Sequence, residues 1–498
     1  MLFNSLEFIV FFPIVLLVNF ILPKKVRYLW LLAASYYFYM CWNAEYALLL
    51  LFSTVITFLS GTAMEFVKHR GYAEQKCTRL KKLCVGVSFT LNLAVLVFFK
   101  YYGFLAENLS AAFRVFDVQL QVPQFDVLLP VGISFFTFQA LSYTMDVYRD
   151  EIPAEKNFFR YALFVSFFPQ LVAGPIERSK NLLEQLANPQ PLKFKNLQEG
   201  VLLMIWGYFL KIVVADRVAI FVDTVYGNPA QFGGFYLIAA TIFFAVQIYC
   251  DFAGYSVVAT GVARILGIQL MENFNAPYLS RSVPEFWRRW HISLSSWFRD
   301  YLYVPLGGNR KGTVRKYFNL LVVFFVSGLW HGASWNFVIW GALNGFYQVF
   351  GALLKPMRDF FVKLLHLNRE SFGHRLLQTV TTFALVDVSW IFFRANSLSA
   401  AKDILYSMTH VFNPWILLDG SLFHCGLSEK QFRLMIFTVL ILLAADICKY
   451  HGIVLRKKLM EQDLWFRWLV MIGAILFILV FGVWGTGYDQ AGFIYFQF

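Results

Sequence analysis

Two of the eight histidines stand where an imidazole could act on a substrate. His331 closes the apolar run 320–330 and opens the turn His331–Gly332–Ala333–Ser334–Trp335 between two hydrophobic segments. An imidazole there can be neutral at physiological pH and accept a proton from a hydroxyl. Its neighbours Gly332, Ala333 and Ser334 are small and leave room for a substrate. The plain alternative is a hydrogen-bonded histidine at a helix end. His291 lies in Trp287–Arg288–Arg289–Trp290–His291–Ile292–Ser293. In a helix, Trp287 and His291 would share a face at i, i+4, with Arg288 and Arg289 pointing elsewhere. Such a cluster can hold the phosphates and ring of a nucleotide-type cofactor, or do no more than anchor an interfacial helix.

Ionisable groups at membrane depth are costly, so each invites a functional reading. Asp251 sits in Tyr249–Cys250–Asp251–Phe252–Ala253–Gly254–Tyr255–Ser256. A carboxylate in such apolar surroundings pairs with a cation or orients a histidine, and a structural ion pair is the preferred reading over a proton path. Asp387 and Arg394 flank the segment 388–393 and are candidates for a buried pair. The candidate substrate-binding set is Arg288, Arg289, Trp290, Trp287, Asp251 and Asn336, around His331 and His291 as the candidate catalytic pair. The other histidines, His69, His366, His374, His410, His424 and His451, fall in loops or beside basic residues and read as solvated. Six scattered cysteines form no CxxC pair and read as small core or lipid-facing residues. No Walker A loop, GxSxG elbow or HExxH motif is present, and no metal is suggested. The energy for any reaction must then come from an activated donor or a gradient.

The elements that carry these residues belong to a bilayer. Of 498 residues 59% are hydrophobic, 57 are Phe and only 15% are charged, well to the lipid side of soluble composition. A net charge of +13 would raise nucleic acid as a partner in a soluble chain. Here the basic residues gather in short loops between apolar runs, the positive-inside pattern, so lipid is the partner and nucleic acid is not.

Apolar runs predict crossings at 5–22, 28–43, 46–62, 83–100, 127–146, 198–214, 233–250, 317–331, 335–353, 376–394, 434–450 and 466–485. The first run has no basic segment before it and is followed by Lys24, Lys25 and Arg27, so it is expected to stay as a membrane helix rather than a cleaved signal. Twelve crossings place both termini outside and put the strongly basic loops on one side, among them the loop with Lys68, Arg70, Lys76, Arg79, Lys81 and Lys82. A weakly charged outer stretch, 101–126, is expected after the fourth crossing. Residues 158–174, broken by Pro169, Gly174 and Pro175, read as re-entrant, and 252–268 as a second short segment packed inside the protein. The basic, Trp-rich stretch 281–316 reads as an interfacial helix. No internal repeat is visible, which disfavours inverted-repeat transporters. The fold class is an all-α polytopic membrane protein.

The blocks Asp251–Phe252–Ala253–Gly254–Tyr255–Ser256, Glu272–Asn273–Phe274–Asn275–Ala276–Pro277–Tyr278 and Pro284–Glu285–Phe286–Trp287–Arg288–Arg289–Trp290–His291 resemble the membrane-bound O-acyltransferase family. So do Asp300–Tyr301–Leu302–Tyr303–Val304–Pro305–Leu306–Gly307–Gly308–Asn309–Arg310 and Gly328–Leu329–Trp330–His331–Gly332–Ala333–Ser334–Trp335. Pro130–Val131–Gly132–Ile133–Ser134–Phe135, Ala173–Gly174–Pro175–Ile176–Glu177–Arg178 and the tail Phe493–Ile494–Tyr495–Phe496–Gln497–Phe498 fit as well. The chain is most similar to the bacterial alginate O-acetylation subgroup over nearly its whole length, and less so to the teichoic-acid D-alanylation proteins.

The resemblance implies one membrane-embedded domain, 1–498, with N-terminal helices in 1–125, a motif-rich catalytic core in 126–353 and C-terminal helices in 354–498. It implies a helical bundle around a transmembrane tunnel, with His331 as the catalytic histidine and His291 as a second motif histidine on the cytoplasmic side. No bound cofactor is expected; acetyl-CoA is the expected acyl donor. The expected partners are a polysaccharide acceptor and a separate extracytoplasmic, esterase-like acetyltransferase, and the expected location is a bacterial inner membrane. D-alanyl transfer from a carrier protein, transport without chemistry and a scaffolding role are the rival readings.

Overall fold

Buried serines, threonines and glycines decide how closely these helices approach. The computed structural model describes residues 1–118, 122, 123, 125, 129–484, 493 and 494, and all regular structure among them is helical. Six helices are long and apolar enough to cross a bilayer: Ala47–His69, Glu74–Arg114, Phe235–Ile265, Phe372–Arg394, Glu429–Tyr450 and Leu464–Phe481. Trp335–Leu353 and Lys355–Leu364, bent by 49°, make a seventh candidate. Twelve crossings would each need about 20 apolar residues. Several expected crossings are shorter than that: Leu6–Ile21 and Ile133–Tyr148 have 16 residues, Phe194–Tyr208 has 15 and Arg27–Met40 has 14. The expected start at 127 and end at 485 lie outside the described residues.

Two other expectations change. The outer stretch after residue 100 is not a loop as far as 114, because helix Glu74–Leu96 continues through a π-helical turn, Val97–Tyr101, into Tyr102–Arg114. Segments 233–250 and 252–268 are one helix of 31 residues, Phe235–Ile265. Gly254, inside that helix, is a point of close approach: a Cβ there would sit 2.8 Å from the Gly207 carbonyl oxygen and 2.9 Å from the Lys211 nitrogen. Gly261 and Gly200 meet in the same way, with 2.7 Å from a Gly261 Cβ to the Gly200 carbonyl oxygen. Small residues let helices in lipid pack backbone to backbone, where apolar burial alone gives no preference for protein over lipid.

One compact unit comprises residues 1–204 and 258–271. Its helix Ala47–His69 buries Ser53, Thr54, Thr57, Ser60 and Gly61. Ser53 donates to Asn92 Oδ1 at 2.5 Å, and Tyr161 donates to Thr57 Oγ1 at 2.6 Å. These bonds satisfy polar groups that lipid could not. The segment expected to be re-entrant is broken into Phe158–Ser166 and Phe168–Leu171. Phe168 N, the helical partner of the Phe164 carbonyl, donates instead to Ser35 Oγ at 3.1 Å, and that carbonyl accepts from Gln139 Nε2 at 2.5 Å and Gln170 Nε2 at 3.1 Å.

The other unit comprises residues 205–257 and 272–498 and carries both motif histidines. Its hairpin of Gly312–His331 and Trp335–Leu353 is closed by Gly328 against the Phe337 carbonyl and Gly341 against the Phe324 carbonyl. The basic stretch 281–316 is not one helix but Val283–Arg289, Ile292–Phe298, a π-helical turn Arg299–Tyr303, a glycine-bearing loop and the start of Gly312–His331. Its aromatic residues turn inward: Phe286, Trp290, Trp297 and Phe298 are buried. Packed aromatic surface outweighs the amphipathic placement that the sequence pattern implied.

Candidate active site

His331 is the last residue of its helix, and Gly332 leaves it extended at φ −165°. Glycine is required here for space rather than for backbone freedom, since a Cβ on Gly332 would overlap the Phe337 ring. The imidazole, 4% exposed, is walled by aromatic rings. Trp330 and Trp340 each lie 4.9 Å away at 86° and 82°, and Phe393 lies at 5.4 Å and 71°. Near-perpendicular rings place positive edges against negative faces. Trp390 stacks on Trp340 at 5.9 Å and 22°, and its other neighbours include Trp290 at 5.2 Å. The sequence already marked Trp290, but Trp340, Trp390 and Phe393 were missed. Their signal was present: tryptophans inside apolar runs must find acceptors for their N–H groups or leave them to a ligand.

His291 is not helical. Trp290 is extended and His291 is left-handed at φ 43°, ψ 55°, joining two seven-residue helices. The expected i, i+4 pairing of Trp287 with His291 therefore does not exist. The turn is held by Asn273: its Oδ1 accepts from Ser293 Oγ at 2.6 Å, its carbonyl accepts from Ile292 N at 2.9 Å, and its Nδ2 donates to Ser256 Oγ at 3.0 Å. The buried imidazole meets Phe252 edge to face at 4.6 Å and Trp330 at 6.0 Å. Asn273 is a positioning residue; the sequence reading had it inside the motif block 272–278 but gave it no role, because its partners Ser256, Ile292 and Ser293 lie elsewhere in the chain.

The candidate substrate-binding residues divide. Arg288 is exposed. Arg289 is held inside the protein, with Nε on Glu285 at 3.0 Å, Nη1 on the Asn275 carbonyl at 3.2 Å and its guanidinium over Tyr450 at 4.7 Å. Trp287 donates to Asn344 Oδ1 at 3.3 Å and packs on Trp340 at 5.6 Å. Asn336 Nδ2 donates to the Ala395 carbonyl at 2.5 Å, tying the hairpin turn to the end of Phe372–Arg394.

Asp251 forms a buried ion pair with Lys211 at 2.5 Å, and its other oxygen accepts from Ile494 N at 2.7 Å. Lys211 also bonds Asp216 at 2.9 Å. The ion pair was expected, but its cation was not named. A lone lysine in the apolar stretch 201–215 was the available signal. The expected pair of Asp387 with Arg394 is absent. Seven residues along a helix rise by about 10 Å, beyond ion-pair reach, and Arg394 instead bonds Asp223 at 2.6 Å. Among the described residues no group of His, Cys, Asp or Glu side chains could hold a metal ion.

Comparison with known proteins places the chain in a known class. The profile of the membrane-bound O-acyltransferase family matches residues 37–370. The chain is 36% identical over 453 residues to a probable alginate O-acetylase of Azotobacter vinelandii, covering 91% of this chain and 86% of that protein. It is 33% identical to a peptidoglycan O-acetyltransferase of Helicobacter pylori, over 87% of this chain and 83% of that protein. A teichoic acid D-alanyltransferase of Bacillus subtilis is 27% identical over 48% of this chain and 62% of its own length. The chain belongs to the membrane-bound O-acyltransferase family and is a multi-pass membrane acyltransferase.

Proposed function

We propose that the chain takes acetyl groups from a cytoplasmic acetyl thioester, acetyl-CoA, and moves them across a bacterial inner membrane for O-acetylation of an extracytoplasmic polysaccharide. The relatives named as O-acetylases and O-acetyltransferases along most of the chain support the acetyl group and the polysaccharide acceptor. The observation that carries the chemistry is the enclosure of His331 by Trp330, Trp340 and Phe393.

A thioester is already activated, so the protein must orient it, move one proton and keep water away. The His331 imidazole removes the proton from the attacking hydroxyl. The hydroxyl oxygen bonds to the carbonyl carbon, the carbon–sulfur bond breaks, and the departing thiolate receives the proton from the imidazolium. In a two-step variant the imidazole nitrogen itself accepts the acyl group before the hydroxyl does. Walls of aromatic rings exclude the water that would hydrolyse the thioester. Arg288, the exposed cation next to the His291 turn, seats the donor's phosphates. A separate extracytoplasmic acetyltransferase completes delivery to the polymer.

The test is acyl transfer by purified, reconstituted protein given radiolabelled acetyl-CoA, comparing wild type with His331→Ala. Histidine-dependent consumption, with label moving to protein or added glycan, is the expected result. Equal consumption by both proteins would remove His331 from the chemistry. Consumption only of a D-alanyl carrier-protein thioester would replace acetyl with D-alanyl, the reading that the Bacillus subtilis relative favours.

A further inference from the structure

Beside His331 stands a buried hydrogen-bond donor that finds no acceptor among the described residues. Trp340 is fully buried, and its indole Nε1 has no acceptor among the described residues. A neighbouring indole differs. Trp287, whose ring lies 5.6 Å from that of Trp340, directs its own Nε1 to Asn344 Oδ1. A buried N–H left without an acceptor forfeits the hydrogen bond that water would have supplied, and the loss grows where lipid replaces water. Such a group is retained where something outside the resting protein completes it.

The position of the ring says what that something is. The Trp340 and His331 rings are in contact edge to face, with centroids 4.9 Å apart, so the indole borders the space beside the imidazole. Any carbonyl carbon attacked with help from His331 must bring its oxygen into the same space. The arrangement is rigid: Trp340 is held between Trp287, Trp390, Phe393 and His331, and it rises from the helix Trp335–Leu353 closed against its partner at Gly341. A fixed, dry donor beside the reacting carbon is the form that stabilises developing negative charge most strongly.

We propose that Trp340 is a catalytic residue whose Nε1–H donates to the acyl carbonyl oxygen and holds it as an oxyanion. This rests on acyl transfer at His331. When the nucleophile bonds to the carbonyl carbon, the π electron pair moves onto the oxygen and the indole hydrogen bond shortens against it. When the pair returns, the carbon–sulfur bond breaks and thiolate leaves. The indole keeps its proton throughout. Trp390 stands one ring further out, where it touches Trp340 and Phe393 and has the Tyr278 hydroxyl oxygen as a hydrogen-bond partner.

The experiment compares reconstituted wild type, Trp340→Phe, Trp390→Phe and His331→Ala, each with acetyl-CoA and with the dithioester in which sulfur replaces the carbonyl oxygen. Sulfur is the weaker acceptor. Trp340→Phe is expected to lose about 10²–10³-fold in kcat with KM for the donor unchanged. The wild-type preference for oxygen over sulfur should also narrow in that variant, and Trp390→Phe should keep both the rate and the preference closer to wild type. Incorporation of 3-benzothienylalanine at position 340, which keeps the bicyclic shape without the N–H, should reproduce the Phe variant if Phe itself disturbs packing. A kcat within threefold of wild type, or a loss that leaves the oxygen-to-sulfur preference intact, overturns the assignment. If wild type and His331→Ala differ while Trp340→Phe equals wild type, only the indole assignment falls. If wild type consumes no thioester at all, the acyl-transfer reading falls and takes this one with it.

Discussion

His291 and His331 share a neighbour: the indole of Trp330 lies 6.0 Å from the first imidazole and 4.9 Å from the second. The two come from unlike local structures, one a left-handed turn between short helices and the other the end of a long helix. Substitution should therefore separate their roles. His331→Ala is expected to lower acyl transfer by about 10³-fold or more, in keeping with loss of a general base or nucleophile, at normal membrane levels. Wild-type rates from purified His331→Ala would end that role.

At His291 the informative variant is asparagine, because it tolerates φ 43° while most residues would add strain of about 1–2 kcal/mol. His291→Asn should keep its melting temperature within a few degrees of wild type and lose at least about tenfold in transfer rate. Loss of folding instead would show that the imidazole's packing against Phe252 is its main contribution.

The pair of Lys211 with Asp251 is a buried charge contact, so removing one partner strands the other. Lys211→Met leaves Asp251 and Asp216 without their common cation and should destabilise the protein by about 3–5 kcal/mol. Asp251→Asn still offers an oxygen to Ile494 N and should cost less. Thermal melts of both variants in one detergent give the order, and the reverse order would refute it.

Gly332→Ala should disturb the turn by contact alone, since its extended backbone suits any residue. The added methyl overlaps the Phe337 ring and should cost about 1–3 kcal/mol together with most of the activity. Adding Phe337→Leu should restore part of both. Rescue that fails in melt and assay alike would place the fault outside this contact.

Burial raises the Glu177 carboxyl from its ordinary 4.5 to about 7, although its side chain accepts from Asn181 at 2.7 Å and from Met271 N. An acid with a raised folded-state pKa adds stability below its unfolded value and loses it as pH rises to the folded one. Glu177→Gln, which does not titrate, should gain on wild type between about pH 4.5 and 7, and the gain should level off above that. Melting curves across pH 4.5–8.5 test this, and a gap that does not change with pH would disprove it.

The membrane class was legible because apolar runs of bilayer length and basic loops are long-range averages that single misreadings do not upset. The turn 332–334 was legible too, since both flanking segments end where apolarity ends: the helices are Gly312–His331 and Trp335–Leu353. The continuity of Phe235–Ile265 was missed because a glycine can mark a break or a close approach, and only the partner backbone at Gly207 shows that Gly254 marks the second. Arg394 was given the wrong partner because Asp223 lies 171 residues away in sequence. The cage around His331 was half visible. Its histidine and Trp330 are neighbours in the chain, but Trp340, Trp390 and Phe393 come together only through packing.

Lys211 sits inside the π-helical turn Phe209–Ala215, between Phe194–Tyr208 and Asp216–Gly227. Such a turn holds more residues than the α-helix around it, so it works as a phase shift along a continuous rod. Deleting one residue within 209–215 would return the rod to its ordinary pitch and turn everything beyond by about 100°. Lys211 or its partner Asp216 would then face the wrong way, with no charge removed and no side chain changed. In this part of the chain, a one-residue gap in a related sequence carries as much meaning as a substitution.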